Sequence, residues 1–153
     1  MKKQLTQAHS VAVLSAESVH TLAHCIAQAE ACVAIGQVPQ GIEVYRGWLV
    51  NNNSPEAYIG WFNLGALHST QAAWAEAHEA YEQSLQLFPD FAQARINLGL
   101  VLERQKAYSE AVRQWSHVVA SRWLPQAATD DLQVTALNHM ARLYEAQKNY
   151  PLA

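Results

Sequence analysis

The chain has 153 residues, of which half are hydrophobic and 15% are charged. This composition excludes a disordered chain and favours one elongated domain. The net charge of -3, with no basic stripe, argues against nucleic acid as a partner. No apolar run approaches the roughly 18 residues of a membrane span, and the run at 11–14 is shorter than the about 7–15 residues of a signal-peptide core. We therefore expect a cytoplasmic protein with no membrane partner.

The N-terminal part of the chain carries the weakest pattern. Residues 1–17 form either a short capping helix or a loose segment. Residues 18–53 are predicted to be a degenerate pair of helices, with Gly36 in the turn between them and Ala29 where the two helices cross. Ser54 is predicted to cap the next helix, with Pro55 at its first position.

Two stretches, about 58–91 and 92–125, repeat each other at a spacing of 34 residues. The recurring pairs are Asn63 and Asn97, Leu64 and Leu98, Gly65 and Gly99, Ala77 and Ala111, and Tyr81 and Trp115. A period of this size, with small residues at fixed points, indicates stacked pairs of helices. One pair cannot bury its apolar face alone, so the stability of such an array comes from the interfaces between neighbouring pairs.

The strict spacing breaks after Trp115. A polar linker is predicted at 126–131, and the pattern of 105–108 returns only at 147–150, an offset of 42 residues. The fourth unit, a partial one at 134–153, therefore has only its first helix. We expect these residues to be an excerpt of a longer protein, whose open end either frays or is covered by a second copy of the chain.

One set of residues resembles the signature of the tetratricopeptide repeat (TPR) family, namely Trp61, Leu64, Gly65, Ala77, Tyr81 and Pro89. His68 stands where that signature has Tyr, and Arg95 stands at the Trp position of the following unit. The resemblance implies an all-α fold, a TPR solenoid in which antiparallel helix pairs form a right-handed superhelix over residues 18–153. Gly65 and Ala77 would then lie where the two helices of a pair cross most closely.

The TPR resemblance also implies a binding site, because in that family the first helix of each pair lines a concave groove that binds a protein or an extended peptide. Carried over residue by residue, the groove positions are Phe62, Asn63, Ile96, Asn97, Leu100, Arg104, Asn138, His139 and Arg142. The chaperone-binding clamp of the family uses Lys and Asn at positions that hold Phe62 and Ala66 here. We therefore expect no carboxylate clamp for chaperone tails.

Asn63 and Asn97 occupy the same position one unit apart, and His139 takes the third place. An Asn side chain can pair with both polar groups of one peptide unit, so a row of Asn would hold an extended chain of any sequence. O-GlcNAc transferases use such a ladder. The chain resembles the N-terminal repeats of bacterial SPINDLY-type, O-GlcNAc-transferase-like proteins, on the motifs at 61–65, 91–99 and 136–145. The alternative is that both Asn side chains bond within the array.

No phosphate loop, nucleophile elbow or paired-acid motif occurs, so we predict that this chain is not an enzyme and needs no cofactor. His20 and His24 share a helix face, but a third ligand is lacking, so no metal site is predicted. Three functions stay open: a recognition segment of a glycosyltransferase-like protein, a free-standing scaffold, and a small-molecule or metal site at His20, His24 and Cys25. Self-association through the C-terminal helix is a further alternative.

Overall fold

The structure, a computed structural model, describes residues 21–121 and 126–149, so the predicted segment 1–17 lies outside it. Seven helices and no strand occur in the described ranges. In chain order they are α1 (Leu22–Ala34), α2 (Val38–Val50), α3 (Ala57–Thr70), α4 (Trp74–Leu87), α5 (Ala92–Arg104), α6 (Tyr108–Ala120) and α7 (Gln126–Asn149). They pack as sequential antiparallel pairs, which confirms the predicted all-α, TPR-like fold. No helix of the described part is both long and apolar enough to cross a membrane.

Neighbouring pairs stack through two kinds of contact. Each helix packs on the next one along the chain, and the first helices of adjacent pairs also touch, α1 on α3, α3 on α5 and α5 on α7. These four first helices lie side by side, and we call the surface that they share the first-helix face. The TPR resemblance predicts ligand binding on this face.

The turns inside the three complete pairs have the same backbone geometry. Gly36, Ala72 and Lys106 all adopt positive φ, at 77°, 54° and 63°. In each turn, the backbone N–H of the residue that follows the positive-φ residue donates to the carbonyl five positions before it. These bonds run from Gln37 to Cys32 at 2.9 Å, from Ala73 to His68 at 3.0 Å, and from Ala107 to Leu102 at 2.8 Å. This is the Schellman arrangement, which closes a helix and reverses the chain.

Gly65 and Gly99 lie where a buried aromatic ring of the second helix presses on the first. A Cβ added to Gly65 would lie 2.8 Å from Cε1 of Tyr81, and one added to Gly99 would lie 2.2 Å from Nε1 of Trp115. Ala29, at the equivalent position of the first pair, is also buried. The small residues of the repeat are therefore required by the rings that pack against them.

The buried apolar residues form two clusters. The first extends from α1 to α4, and the second extends from α4 to α7. Helix α4 contributes to both, with Ala80 in the first cluster and Ala77 and Tyr81 in the second. The described helices therefore share no single central core, as expected for a stacked array.

Two predicted boundaries were wrong. Residues 126–131 are not a linker, because α7 begins at Gln126 and continues without a break to Asn149. The side-chain amide of Gln133 donates to the carbonyls of Val119 and Ser121, at 3.1 and 3.0 Å, and so ties this part of α7 to the end of α6. Ser54 does not cap α3 either. Its Oγ is buried with no hydrogen-bond partner among the described residues, and α3 begins only at Ala57.

Candidate functional site: a groove on the first-helix face

A groove of about 800 Å³ opens on the first-helix face, between α3, α5 and α7. Cavities of roughly 300–1,000 Å³ are typical of ligand sites in proteins. Leu100 and Val101 of α5, together with Leu143 and Ala146 of α7, supply its apolar lining. These residues come from neighbouring pairs, so stacking of the pairs creates the groove.

The polar part of the lining is centred on the hydroxyl of Tyr81. Nδ2 of Asn97 donates to this oxygen at 3.3 Å, and Oγ of Ser69 lies 3.5 Å from it while donating to the carbonyl of Gly65 at 2.9 Å. Burial raises the pKa of Tyr81, so its hydroxyl keeps its proton at neutral pH. The groove therefore presents neutral donors and acceptors in fixed positions.

The contact between Tyr81 and Asn97 recurs once, between the first and second pairs. Asn63 hydrogen-bonds the hydroxyl of Tyr45, whose pKa burial raises to about 12. Each such contact joins the second helix of one pair to the first helix of the next. Both Asn side chains thus bond within the array, as one of the two sequence-based alternatives states. One such bond leaves an Asn side chain with one N–H and its carbonyl oxygen for other partners.

The charged groups of the lining carry a positive excess. Arg142 forms a two-pronged ion pair with Glu103, with N–O distances of 2.7 and 2.5 Å, and the hydrogen bond to Glu103 raises the pKa of Arg142. The guanidinium of Arg104 lies 5.9 Å from the ring centroid of Trp74, within cation–π range. Lys106 completes the set of charged lining residues. Three cations therefore face one carboxylate, in a chain whose net charge is -3.

Comparison with known proteins supports the fold. Residues 67–115 match the family model described as tetratricopeptide repeat. The architecture is TPR-like. A crystal structure of MamA superposes with a TM-score of 0.60 at 16% sequence identity, covering 90% of this chain and 84% of that one. A second crystal structure, of MamA protein, superposes with a TM-score of 0.57 at 18% identity, covering 92% and 82%.

None of the curated proteins matches the chain. The comparisons therefore give no support to the resemblance to O-GlcNAc transferases. At identities below a fifth, the likeness to MamA concerns the fold alone.

The predicted groove positions divide into two groups. Those that line the groove are Asn97, Leu100, Arg104 and Arg142. Those outside its lining are Phe62, Asn63, Ile96, Asn138 and His139. Ile96 is buried in the core, and its carbonyl accepts a hydrogen bond from Nε1 of Trp115 at 3.2 Å.

The other four residues of the second group have separate surroundings. Phe62 belongs to an aromatic cluster, with ring centroids 5.0 Å from Phe91 and 5.9 Å from Tyr81. Asn63 is engaged by Tyr45, as described above. His139 stacks on Trp115, with centroids 5.3 Å apart, and Asn138 is exposed on α7.

The part of the groove that comes from the turns and the second helices was not predicted from the sequence. Trp74 and Tyr108, which both line the groove, are the first residues of α4 and α6. They lie 34 residues apart, so the repeat spacing itself carried the signal. Lys106 was missed because its place depends on the left-handed turn just before α6.

The alternative site at His20, His24 and Cys25 gains little from the structure. His20 lies outside the described residues, and Cys25 is buried with Sγ 3.8 Å from the carbonyl of Val44. Burial raises the pKa of the Cys25 thiol to about 11, whereas metals bind the thiolate. Among the residues searched, those that the structure describes, no group of three or more metal-ligating side chains occurs.

Proposed function

We propose that this chain is a TPR module that binds an extended segment of a protein partner in the groove between α3, α5 and α7. The supporting observation is the lining itself: an apolar surface from Leu100 and Leu143 beside the neutral polar centre of Tyr81 and Asn97. An apolar pocket with a few convergent polar groups is the usual form of a binding site. TPR modules generally bind proteins or peptides.

Asn97 is the residue we propose to hold the peptide backbone. Its Nδ2 gives one hydrogen to Tyr81, so one N–H and the carbonyl oxygen remain. These match the C=O and the N–H of one peptide unit. Tyr81 would then set the direction of the amide before a ligand arrives, which lowers the entropic cost of binding.

The test uses short peptides selected from a random phage library with the wild-type chain. The double variant Asn63→Ala, Asn97→Ala should bind the selected peptides about tenfold more weakly or worse in fluorescence anisotropy, because each lost amide contact costs about 1 kcal/mol. Asn97→Ala alone should account for most of the loss, because Asn97 lines the groove. Asn53→Ala, at an exposed position before α3, is the control. Unchanged binding by the folded double variant would contradict the proposal.

The wider context of the module has two candidate forms. The motif resemblance at 61–65 and 91–99 supports a recognition segment of an O-GlcNAc-transferase-like protein. The groove supports a free-standing scaffold equally well, because it needs no attached enzyme. Sequencing the gene beyond the codon for Ala153 distinguishes the two: an adjoining glycosyltransferase domain would establish the first and exclude the second.

A second role, self-association, is favoured by one face of α7. Val134, Leu137 and Tyr144 are 54%, 48% and 52% exposed, and with Ala141 they follow the three-and-four spacing of a helix–helix seam. We propose that a second copy packs on this face by two-fold symmetry. Leu137→Lys should lower the dimer fraction in sedimentation velocity, and Asn138→Lys, at an exposed neighbouring position, should not. A wild-type chain that stays monomeric at high concentration would exclude this role.

A further inference from the structure

We propose that the groove selects an acidic partner segment, in which an Asp or Glu side chain lies next to an aliphatic or aromatic one. The inference rests on the proposed function and adds the chemistry of the ligand. It depends on the charges of the lining and on where the apolar residues lie relative to them.

Arg104 and Lys106 are the cations available to a ligand. Both are exposed, and neither has an anionic partner among the described side chains. Arg142, by contrast, is already neutralised by Glu103 through two hydrogen bonds. The uncompensated positive charge therefore lies at the end of α5 and in the turn that follows it, two residues apart.

The position of Arg104 prepares it for a carboxylate. Its guanidinium lies over the ring of Trp74, which limits the motion of the side chain. A cation–π contact of this kind leaves the guanidinium N–H groups able to bind both oxygens of a carboxylate. Lys106, the positive-φ residue of the turn after α5, adds a second positive charge to the lining.

The apolar lining supplies the second half of the specificity. Leu100 lies one turn of α5 before Arg104, and Leu143 and Ala146 lie opposite it on α7. A hydrophobic side chain placed there would bury apolar surface while its acidic neighbour reaches Arg104. A basic segment would meet like charge, and a wholly apolar one would leave both cations without a partner.

Charge reversal provides the test. Short random peptides are selected on phage against the wild-type chain and against the double variant Arg104→Glu, Lys106→Glu. The wild type should enrich Asp or Glu beside Leu, Ile or Phe, and the variant should enrich Lys or Arg instead. A peptide selected by the wild type should bind the variant at least about tenfold more weakly, because a hydrogen bond between charged groups is lost. Its affinity for the wild type should also fall as salt is added.

A matched control carries the same change of charge outside the groove. Arg113→Glu with Lys148→Glu alters two exposed positions that are not part of the lining, and it should select the same acidic peptides as the wild type. A second variant, Arg104→Gln, should bind acidic peptides weakly without gaining basic ones.

The outcomes separate this inference from the proposed function. Selected peptides without acidic residues, whose binding still depends on Asn97, would overturn the inference and leave groove binding intact. Identical selections by the wild type and the reversed variant would do the same. If no peptide is enriched, or if binding is independent of Asn97, groove binding itself fails and the inference fails with it.

Discussion

At the scale of single residues, one aromatic ring in each second helix fixes two positions of the repeat. Tyr81 presses on Gly65 within its own pair and hydrogen-bonds Asn97 of the next pair. Trp115 presses on Gly99 in the same way and meets His139 of the next pair. Indole has no acceptor for an amide, so a stacked imidazole replaces the hydrogen bond. Where the second helix carries Trp115 in place of Tyr, the first helix of the next pair therefore carries His139 in place of Asn.

The close approach at these glycines predicts an order of stabilities. Gly99→Ala should lower the free energy of unfolding by about 1–3 kcal/mol through overpacking, because its Cβ would lie 2.2 Å from the indole nitrogen of Trp115. Gly65→Ala should cost less, because its nearest contact would be 2.8 Å. Gly47→Ala is the control, since Gly47 lies inside α2 with nothing within 4 Å, and it should stabilise by about 0.5–1 kcal/mol. Urea denaturation measures all three, and equal midpoints would mean that the packing is misassigned.

Two histidines, the buried His68 and the half-buried His139, predict a loss of stability in mild acid. Burial lowers the pKa of both His68 and His139, and nearby Arg46 and Arg142 respectively lower it further. The unfolded chain, with a histidine pKa of about 6.5, therefore binds protons before the folded one does. Their stabilising contribution is present above about pH 6.5 and is lost as the pH falls toward the lowered folded-state values.

The measurement is the urea midpoint at several pH values between about 7 and about 5. It should fall with pH in the wild type and fall less in the double variant His68→Gln, His139→Gln. His117→Gln, at an exposed position on α6, is the control and should leave the pH dependence as it is. Parallel curves for the wild type and the double variant would show that these two groups do not control the effect.

At the scale of helices and turns, the residue with positive φ in each turn is where a side chain costs stability. Gly36 adopts positive φ without a steric penalty, whereas Ala72 does so at 54° with a Cβ in place. Ala72→Gly should therefore raise the free energy of unfolding by about 0.5–1 kcal/mol, after allowing for the greater freedom of glycine in the unfolded chain. Ala27→Gly, at an exposed position inside α1, should lower it by about 1 kcal/mol. A loss of stability in both variants would contradict the assigned turn geometry.

The pairing of helices was predictable because the spacing of Gly65 and Gly99 reports local packing in each pair. The beginnings of helices were not. The polar sequence at 126–131 predicts a linker, yet α7 begins at Gln126, and Gln133 further along this helix bonds to the end of α6. Ser is a residue type that often caps helices, but α3 begins three residues after Ser54. The Ser54 hydroxyl has no hydrogen-bond partner among the described residues. The first of these features depends on a contact between helices, which composition does not report.

At the scale of the whole chain, the groove combines residues from several pairs. Arg104 and Arg142 could be assigned to the binding face from the repeat position alone, and both line the groove. Ile96 was assigned by the same rule but is buried, because the ring of Trp115 turns toward its carbonyl. The position of a residue within the repeat therefore gives its helix face, while the residues that pack on it, here Trp115 of the same pair, decide whether it reaches solvent.

The two apolar clusters predict that a substitution in one cluster destabilises mainly the helices of that cluster. Of the helices that contribute buried residues, only α4 belongs to both clusters, so overpacking at Gly99 should loosen α5, α6 and α7 while α1 and α2 keep their contacts. In hydrogen exchange, Gly99→Leu should speed exchange in 92–149 and leave 22–50 close to the wild type. The control is again a substitution at Gly47, which has open space around it. Uniformly faster exchange along the whole chain would mean that the array unfolds as one unit.

The same measurement on the wild-type chain tests the open side of α7. This helix packs on α5 and α6, while Val134, Leu137 and Tyr144 stay exposed, so part of its apolar surface gains nothing from folding. Each Å² of apolar surface left in water forgoes about 25 cal/mol of stabilisation, and the stability of a marginal repeat depends on contributions of this size. Residues 134–149 should therefore exchange faster than 58–120 in dilute solution. If a second copy covers this face, their protection should rise with protein concentration, while Leu137→Lys should abolish that rise and Asn138→Lys should not. Equal protection of both segments in the dilute monomer would show that α7 is already stable without any cover.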